Sequence, residues 1–285
     1  MKLNREFLGK EYSTGPQLVE PESIRQFALA TNEKNPRYLS AEPDVELVPP
    51  PLYPVVFLPP ILSQLVDDSE NMDLNILRVV HAGHKISWKE ALHPGDQIYT
   101  TAKIINMEQH GVNDILDLQI NCKREDTIVV EMRYRLLVRG KKAKRDDKPE
   151  GNTQSIERRQ VLAKKTIMVT EDQGIRYAEA SGDHNPIHTS DEIARSVGLP
   201  SAILQGLCTM AMASQTIVDE LLDGDPSRLK SIEVRFSKPL LMNQILTTEV
   251  YDAGIKDDGI HIVHFESRDT KDVPVLVQCV AEFVD

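Results

Sequence analysis

Cysteine is scarce in this sequence, and apolar runs of membrane-spanning length are missing. The three cysteines, Cys122, Cys208 and Cys279, have no paired spacing, which argues against a disulfide scaffold or a zinc site and fits a reducing compartment. No stretch approaches the roughly 20 apolar residues that a membrane span requires, and the N-terminal residues lack the apolar run of a signal peptide. We therefore expect a cytoplasmic protein with no membrane partner.

A basic surplus is also missing. The chain carries 33 Lys and Arg against 44 Asp and Glu, a formal net charge of -11. Nucleic-acid-binding proteins are normally basic, so we expect no nucleic-acid partner, and an anionic ligand would have to be held by local basic groups. Hydrophobic residues make up 40% of the 285 residues, which is enough for a globular core of one large or two ordinary domains.

One stretch, residues 139–160, contains almost no apolar residues and mixes charge with Gly, Pro, Ser and Asn. This composition is typical of a linker. We place the linker at residues 141–159, between an N-terminal unit at residues 1–140 and a C-terminal unit at residues 160–285.

The two units resemble each other. Residues 27–40 (FALATNEKNPRYLS) align with residues 177–190 (YAEASGDHNPIHTS) at an offset of 150, with five of fourteen pairs identical. Residues 86–92 (ISWKEAL) align with residues 234–240 (VRFSKPL) at an offset of 148. Two matches in the same order at nearly the same offset indicate a tandem duplication whose halves have diverged.

Each unit is expected to combine helix with antiparallel strands. A long apolar helix is predicted at residues 207–222, because its small and apolar side chains leave little polar face. Alternating or β-branched segments bounded by turn residues predict strands, and these lie at residues 96–106, 115–123, 128–138, 230–237, 245–252, 260–268 and 275–284. The pattern favours an α+β fold in which each unit wraps a sheet around a central helix and the two sheets join.

The densest polar cluster is SGDHNPIH at residues 181–188. Gly182 and Pro186 place it on a loop, which could aim Asp183 and His188 at one point as an acid/base pair. Alternatively, Asp183 and Asn185 would only bond their own backbone in a turn. Pro186 also breaks the helical face that a zinc-binding histidine pair needs, so we expect no metal.

Gly206 lies at the start of the predicted long helix. Backbone N–H groups there have no intrahelical acceptor, and the helix dipole favours negative charge at that end. Its N–H is therefore a candidate oxyanion-hole donor for a thioester carbonyl. A plain helix-start glycine is the alternative. Cys208, two residues on, has no evident base nearby and is expected to pack rather than react.

The motif at residues 177–188 resembles the signature of the MaoC-like, (R)-specific enoyl-CoA hydratases (hydratase 2). The similarity continues through residues 194–210 and 235–239, and so covers most of residues 160–285. The first half resembles the degenerate N-terminal repeat of two-repeat members. The resemblance implies a double hot-dog fold, with an antiparallel sheet wrapped around a central helix in each repeat.

That resemblance also implies an activity, the reversible hydration of trans-2-enoyl-CoA to (R)-3-hydroxyacyl-CoA without a metal or other cofactor. Asp183 and His188 would be catalytic, jointly activating water and passing a proton to the α-carbon, and Gly206 would supply the oxyanion-hole N–H. The residues implied to bind substrate are Ser181, Asn185, which would also support the loop, and Phe236.

The sequence departs from the family pattern in two places. Gln205 stands where members commonly have His, and residues 201–202 (SA) replace a frequent His-Pro, which affects the expected pocket shape. In the first half, Glu33 and Tyr38 take the positions of Asp183 and His188, and Val55 falls near that of Gly206. We therefore expect one active site per chain, with the first repeat shaping the acyl tunnel.

Two other functions remain open from the sequence. A (3R)-hydroxyacyl-ACP dehydratase of fatty-acid synthesis would use the same residues in the reverse direction, with acyl carrier protein docking on a basic patch such as Lys164 and Lys165. The net charge of -11 favours CoA instead. A non-catalytic thioester-binding subunit of a heteromeric complex is the second alternative. A homodimer is the preferred assembly, although two fused repeats also permit a monomer.

Overall fold

The computed structural model describes residues 3–41, 46–140 and 160–285. Strands in the first half are β1 (Glu11–Leu18), β2 (Val79–Trp88), β3 (Gln97–His110), β4 (Asn113–Arg124) and β5 (Thr127–Val138). Those in the second half are β6 (Val161–Met168), β7 (Leu229–Phe236), β8 (Ile245–Ile255), β9 (His261–Arg268) and β10 (Pro274–Phe283). The predicted linker, residues 141–159, lies outside the described residues.

All ten strands form one antiparallel sheet in the order β1-β3-β4-β5-β2-β7-β10-β9-β8-β6. Read from each outer edge inward, the two halves have the same order, since β1-β3-β4-β5-β2 corresponds to β6-β8-β9-β10-β7. The halves meet where β2 pairs with β7, in a register that sets Gly83 opposite Arg235 and Ser87 opposite Ser231. The segments matched in the sequence, residues 86–92 and 234–240, therefore begin on the two strands that pair at the centre of the sheet.

Within the described residues, six α-helices lie among the strands: α1 (Pro21–Ala30), α2 (Pro36–Leu39), α3 (Pro59–Asp67), α4 (Gln173–Ser181), α5 (Asp191–Ser196) and α6 (Gly206–Leu221). Helix α6 is 16 residues long and is buried from Leu207 to Val218. It packs against β6, β7 and β8, which accounts for apolar residues on more than one of its faces. Its counterpart α3 is only nine residues long and packs against β1 and β3.

The predicted α+β architecture is confirmed. The long helix predicted at residues 207–222 is Gly206–Leu221, and each predicted strand is present with bounds that differ by a few residues. The sequence pattern does not predict β1 and β6, the two outer strands of the sheet, or β2 at its centre. Across the part of the chain that the structure describes, no helix has the length and apolar character to cross a membrane.

Candidate active site

The polar loop begins where α4 ends. Gly182 takes a left-handed conformation with φ 78°, which a side chain would strain. A Cβ at this position would also lie 3.0 Å from Cγ of Pro59, at the start of α3. Asn185 then starts the 3₁₀ turn Pro186–His188 by accepting a hydrogen bond from the Ile187 N–H. The conformation of the loop is thus set by its own residues, and the loop packs against the first half of the chain.

This loop brings Asp183 and His188 together. Asp183 Oδ2 lies 3.9 Å from His188 Nε2, with 41% of the Asp183 side chain and 10% of the His188 side chain exposed. Asp183 Oδ1 also accepts a hydrogen bond from the Asn185 N–H at 3.3 Å. The two sequence interpretations therefore coexist, because one carboxylate oxygen closes the turn and the other faces the imidazole.

The His188 ring is fixed from its opposite side. Its Nδ1 lies 2.8 Å from the carbonyl oxygen of Ile203. A carbonyl only accepts, so Nδ1 carries the hydrogen and Nε2 of the neutral ring is the acceptor. Burial lowers the pKa of His188, while the Asp183 carboxylate and the Ile203 carbonyl act in the opposite direction. The ring is therefore held as a neutral base whose free nitrogen faces Asp183.

Gly206 is the first residue of α6, and its N–H has no acceptor within the helix. The preceding Gln205 makes no side-chain cap. A Cβ on Gly206 would lie 3.0 Å from Cε1 of Phe236, a distance that would force the ring to move. The absent side chain thus lets Phe236, at the end of β7, lie directly against the helix start.

Two residues implied to bind substrate take part in the loop itself. The buried hydroxyl of Ser181 donates to the Tyr177 carbonyl at 2.6 Å and accepts from the Asp183 N–H at 3.2 Å. The Asn185 side-chain oxygen accepts the Ile187 N–H at 3.3 Å. These contacts hold Asp183 and His188 in place, and a substrate contact for Ser181 or Asn185 stays a prediction.

Gln205, the departure from the family pattern, is completely buried. Its Nε2 donates to the Gly174 carbonyl at 2.9 Å. Gly174 in turn lies against the His188 backbone, since a Cβ there would be 2.5 Å from the His188 carbonyl oxygen. Gln205 therefore connects the start of α6 to α4 and to the His188 turn.

The corresponding loop in the first half is closed. Asn35 starts α2 as Asn185 starts the 3₁₀ turn, but Glu33 and Tyr38 are both buried. Neither the Glu33 Oε2 atom nor the Tyr38 hydroxyl has a hydrogen-bond partner among the described residues. Burial, with a contribution from Asp219, raises the pKa of Glu33 to about 8. Val55 is buried in the turn Tyr53–Phe57 that precedes α3.

Sequence reasoning missed a group of first-half residues beside this site. His81 and His84 on β2 and Tyr134 on β5 form contacting rings, and His81 also contacts Phe236, with ring centroids 4.7 Å apart. No motif marks these residues, because they are distant in sequence and meet only through strand pairing. A His-x-x-His spacing within a strand was the single signal available.

Each half of the chain matches a known protein family. Residues 152–273 match the MaoC like domain family, and residues 6–132 match the family described as FAS1-like, dehydratase domain region. A MaoC-like dehydratase from Phytophthora capsici has a structure that aligns with a TM-score of 0.83 at 23% identity, covering 99% of this chain and 98% of that one. A Mycobacterium tuberculosis protein described as a double hot-dog fold aligns at 0.66 with 12% identity, covering 97% and 96%.

Curated relatives carry hydratase names. The probable enoyl-CoA hydratase 2 of Dictyostelium discoideum is 42% identical over 82 residues, covering 29% of this chain and 28% of that protein. The peroxisomal multifunctional enzyme type 2 of Drosophila melanogaster is 26% identical over 247 residues, covering 80% and 40%. The chain thus spans less than half the length of either relative.

The chain contains a MaoC-like dehydratase domain at residues 152–273 and a FAS1-like dehydratase region at residues 6–132, and it has the double hot-dog fold. The fold expected from the sequence and the resemblance to MaoC-like dehydratases are confirmed.

Proposed function

We propose that this chain reversibly hydrates trans-2-enoyl-CoA thioesters to (R)-3-hydroxyacyl-CoA. The observation that carries the proposal is the 3.9 Å approach of Asp183 Oδ2 to His188 Nε2. The His188 ring is held by the Ile203 carbonyl, three residues before the uncapped helix start at Gly206. The names of the curated relatives agree with this reaction class. The (R) configuration is taken from the family resemblance.

The Asp183–His188 gap suits one water molecule. A separation of 3.9 Å exceeds a direct hydrogen bond, but one water oxygen fits within hydrogen-bond distance of both atoms. Asp183 Oδ2 and His188 Nε2 are both acceptors, so the water would donate one O–H to each. Its lone pairs would then point away from the protein, toward the β-carbon of a bound substrate.

Addition of this water is balanced by one proton transfer through His188. The water oxygen bonds to Cβ while its proton passes to Nε2, and the C=C electron pair moves onto the thioester as an enolate. The imidazolium then returns the proton to Cα as the enolate collapses. The net change is addition of H and OH, and Asp183 stabilises the imidazolium between the two steps.

The enolate oxygen needs a hydrogen-bond donor while it carries charge. The Gly206 N–H is free of an intrahelical acceptor, and the positive end of the α6 dipole lies there. Phe236, which lies against Gly206, would cover the thioester and restrict access of bulk water. His188, assisted by Asp183, would therefore transfer the proton, and the Gly206 N–H would stabilise the charge on the enolate oxygen.

The carrier is proposed to be CoA. Lys164 lies 2.6 Å from Glu249, and Lys165 pairs with Asp219. The two lysines that the sequence offered for docking an acidic carrier protein are thus already neutralised locally. A homodimer remains a prediction from the sequence.

We assign the chemistry to residues 160–285 and a shaping role to residues 1–140. Glu33 and Tyr38 are buried, so the first repeat would contribute no second set of catalytic groups. Pro59 of the first repeat contacts the catalytic loop at Gly182, and His81 contacts Phe236. Residues of the first repeat would therefore line the acyl site without carrying out the reaction.

The test is the loss of the conjugated enoyl absorbance when the full chain meets short, medium and long trans-2-enoyl-CoAs, followed by chiral analysis of the product. Absorbance loss with wild type, its absence with Asp183→Asn, and an (R) product would support the proposal. Activity only on carrier-protein thioesters would reassign the carrier. No turnover of either thioester would favour the non-catalytic thioester-binding alternative and overturn the proposal.

A further inference from the structure

The inner face of the central strands carries a polar cluster that the proposed reaction does not use. We define the imidazole cluster as His81, His84 and Tyr134. The pairing of β2 with β5 changes register between His81 and Gly83, which turns His81 onto the same face as His84. His84 lies opposite Tyr134 in the same pairing. A strand without this bulge would send the two imidazoles to opposite faces of the sheet.

The three rings pack tightly. His81 stacks on Tyr134 with centroids 3.8 Å apart and an angle of 8°, and His84 meets both rings edge-on at 5.5 and 5.6 Å. This packing fixes the directions in which the ring nitrogens point. The imidazole cluster is therefore preorganised rather than a set of mobile side chains.

The ring nitrogens of this cluster are buried without partners. His81 Nε2 and both nitrogens of His84 have no hydrogen-bond partner within the described ranges, and His84 is only 2% exposed. Buried polar atoms are nearly always hydrogen-bonded in folded proteins, and each exception calls for an explanation such as a water or a ligand. Three such atoms in one ring cluster indicate a place built to receive a polar group.

The imidazoles are uncharged. Burial lowers the pKa of His81 well below its ordinary value and that of His84 to about 3. A neutral imidazole has one N–H donor and one nitrogen acceptor. Both are unpaired in His84, whereas one His81 nitrogen already bonds to the Gly83 backbone and Nε2 is left. A group that both donates and accepts would satisfy them, whereas a ketone would leave an acceptor nitrogen unpaired and a carboxylate would be buried without a countercharge.

The cluster is adjacent to the proposed reaction centre. His81 contacts Phe236 at 4.7 Å between centroids, and Phe236 lies against Gly206. Burial raises the pKa of Tyr134, and the charge of Asp183 adds to that effect. Tyr134 is therefore within electrostatic reach of the Asp183 carboxylate, and a chain extending from the thioester past Phe236 would meet His81.

We propose that the imidazole cluster binds a hydroxyl group on the acyl chain of the substrate, so that the preferred substrate is a hydroxylated enoyl thioester rather than a plain hydrocarbon one. This inference rests on the proposed function. It assigns to His81, His84 and Tyr134 a role in specificity and none in proton transfer. Sites built to hydrogen-bond a substrate hydroxyl discriminate strongly against the analogue that lacks it, because their own polar groups are then left unpaired.

The experiment compares matched substrates on the full wild-type chain. The probes are trans-2-octenoyl-CoA and its counterparts with a hydroxyl at C5, C6, C7 or C8, and the measured quantity is kcat/KM for hydration. We expect at least one hydroxylated probe to exceed the plain one by about tenfold or more, within the range known for hydroxyl recognition. Equal values at every position, or preference for the plain chain, would overturn the inference.

Two variants locate the recognition. His84→Phe keeps an aromatic ring but removes both nitrogens, and is expected to abolish the preference while retaining turnover of trans-2-octenoyl-CoA. His110→Phe makes the same exchange at the exposed end of β3 and should change neither rate. Thermal unfolding of each variant reports on folding, and a preference that survives in folded His84→Phe would contradict the role of the cluster.

A binding measurement separates this inference from the proposed function. Saturated octanoyl-CoA and hydroxyoctanoyl-CoA cannot undergo hydration, and calorimetry gives their Kd values directly. Tighter binding of a hydroxylated ligand, with no turnover of any enoyl-CoA, would support the cluster and refute the activity. Turnover of enoyl-CoA with no difference in Kd or kcat/KM between plain and hydroxylated ligands would support the activity and refute the role of the cluster.

Discussion

Both repeats contain the same polar loop, but its acidic side chain is partly exposed in one repeat and buried in the other. In each, an Asn-Pro step starts a short helical turn, and an acidic residue precedes it by two positions. In the second repeat the acid is Asp183, with 41% of its side chain exposed. In the first it is Glu33, which is buried. The backbone pattern is therefore retained, whereas access to water is not.

Helix length accounts for part of this difference. The second half of α6 reaches the first repeat's loop, where Gln215 Nε2 donates to the Thr31 carbonyl at 2.7 Å and Asp219 acts on the charge of Glu33. Helix α3 is nine residues long, against 16 for α6. The long α6 of the second repeat therefore covers the loop of the first repeat, whereas the Asp183 loop meets α3 at Pro59, the first residue of that shorter helix.

The largest expected effect comes from Asp183→Asn. Removing the carboxylate leaves the bridging water with one acceptor fewer and the imidazolium without its counterion, so kcat should fall by about 10²- to 10⁴-fold. Enoyl-CoA absorbance measures the rate, and thermal unfolding should remain close to wild type. Glu33→Gln is the matched change in the other repeat and should leave the rate unchanged. Equal losses from both variants would mean that the loops are not functionally distinct.

Gly206→Ala is expected to reduce kcat/KM by about 10- to 100-fold, because misplacement of catalytic groups by about an ångström has effects of this size. The new Cβ would lie 3.0 Å from Phe236 and displace its ring from the thioester site. Val55→Ala, near the equivalent position of the first repeat, should lower stability and spare the rate. A normal rate in Gly206→Ala would show that the helix start does not contact substrate.

Glu33 should make stability depend on pH. Its pKa is raised from 4.5 to about 8, so across that interval the folded state binds a proton that the unfolded state has released. The free energy of unfolding then falls as pH rises from about 5 to 8. Glu33→Gln removes this dependence. As pH rises from 5 to 8, the free energy of unfolding of the variant relative to that of wild type should therefore increase by a few kcal/mol. Denaturant unfolding at both pH values measures it, and a constant difference would show that Glu33 is ionised in the folded state.

Gln205→Ala should lower stability by about 1–3 kcal/mol, because it leaves the buried Gly174 carbonyl without its donor. Removing the Gln205 side chain should reduce kcat/KM less than Gly206→Ala does, because Gln205 affects the reaction through the position of the His188 turn. Gln109→Ala, on an exposed part of β3, should be neutral in both measurements. A large rate loss at unchanged stability would instead indicate direct contact between Gln205 and substrate.

The smallest effect concerns the acidic limb of the pH–rate profile. Burial lowers the pKa of His188 from 6.5, and the base must be neutral to accept a proton from water. The value of kcat/KM should therefore decline only below pH 6.5, as the imidazole becomes protonated. Tyr38→Phe, at the matched position of the first repeat, should leave this limb in place. A decline centred above pH 6.5 would exclude His188 as the base.

Much of the fold could be predicted because it follows local patterns. The apolar helix and the strands from β3 to β5 and from β7 to β10 have their own periodicity, and Asn-Pro fixes the start of each short turn. The outer strands β1 and β6 were missed because exposed strands bury few side chains and alternate weakly. Strand β2 was missed although it is central, because the register shift between His81 and Gly83 interrupts its alternation. The burial pattern of β6, with a single buried residue, Ala163, illustrates this.

The candidate site was predictable only where its residues share one segment. Asp183 and His188 lie on one loop, so spacing was informative. The partner of Gln205 at Gly174 and the contact of His81 with Phe236 depend on how distant elements pack. The length of α3 could not be predicted either, because neither the prolines at its start nor the residues after it mark where the helix ends.

The β2–β7 pairing has a consequence for the evolution of the chain. A single repeat separated from its twin would expose one of these strands as a bare edge, with unpaired N–H and C=O groups that template association with other chains. In the fused protein each inner edge is permanently covered by the other repeat. The first repeat could thus lose its acid/base pair and still be retained, because protection of its neighbour from aggregation does not depend on chemistry.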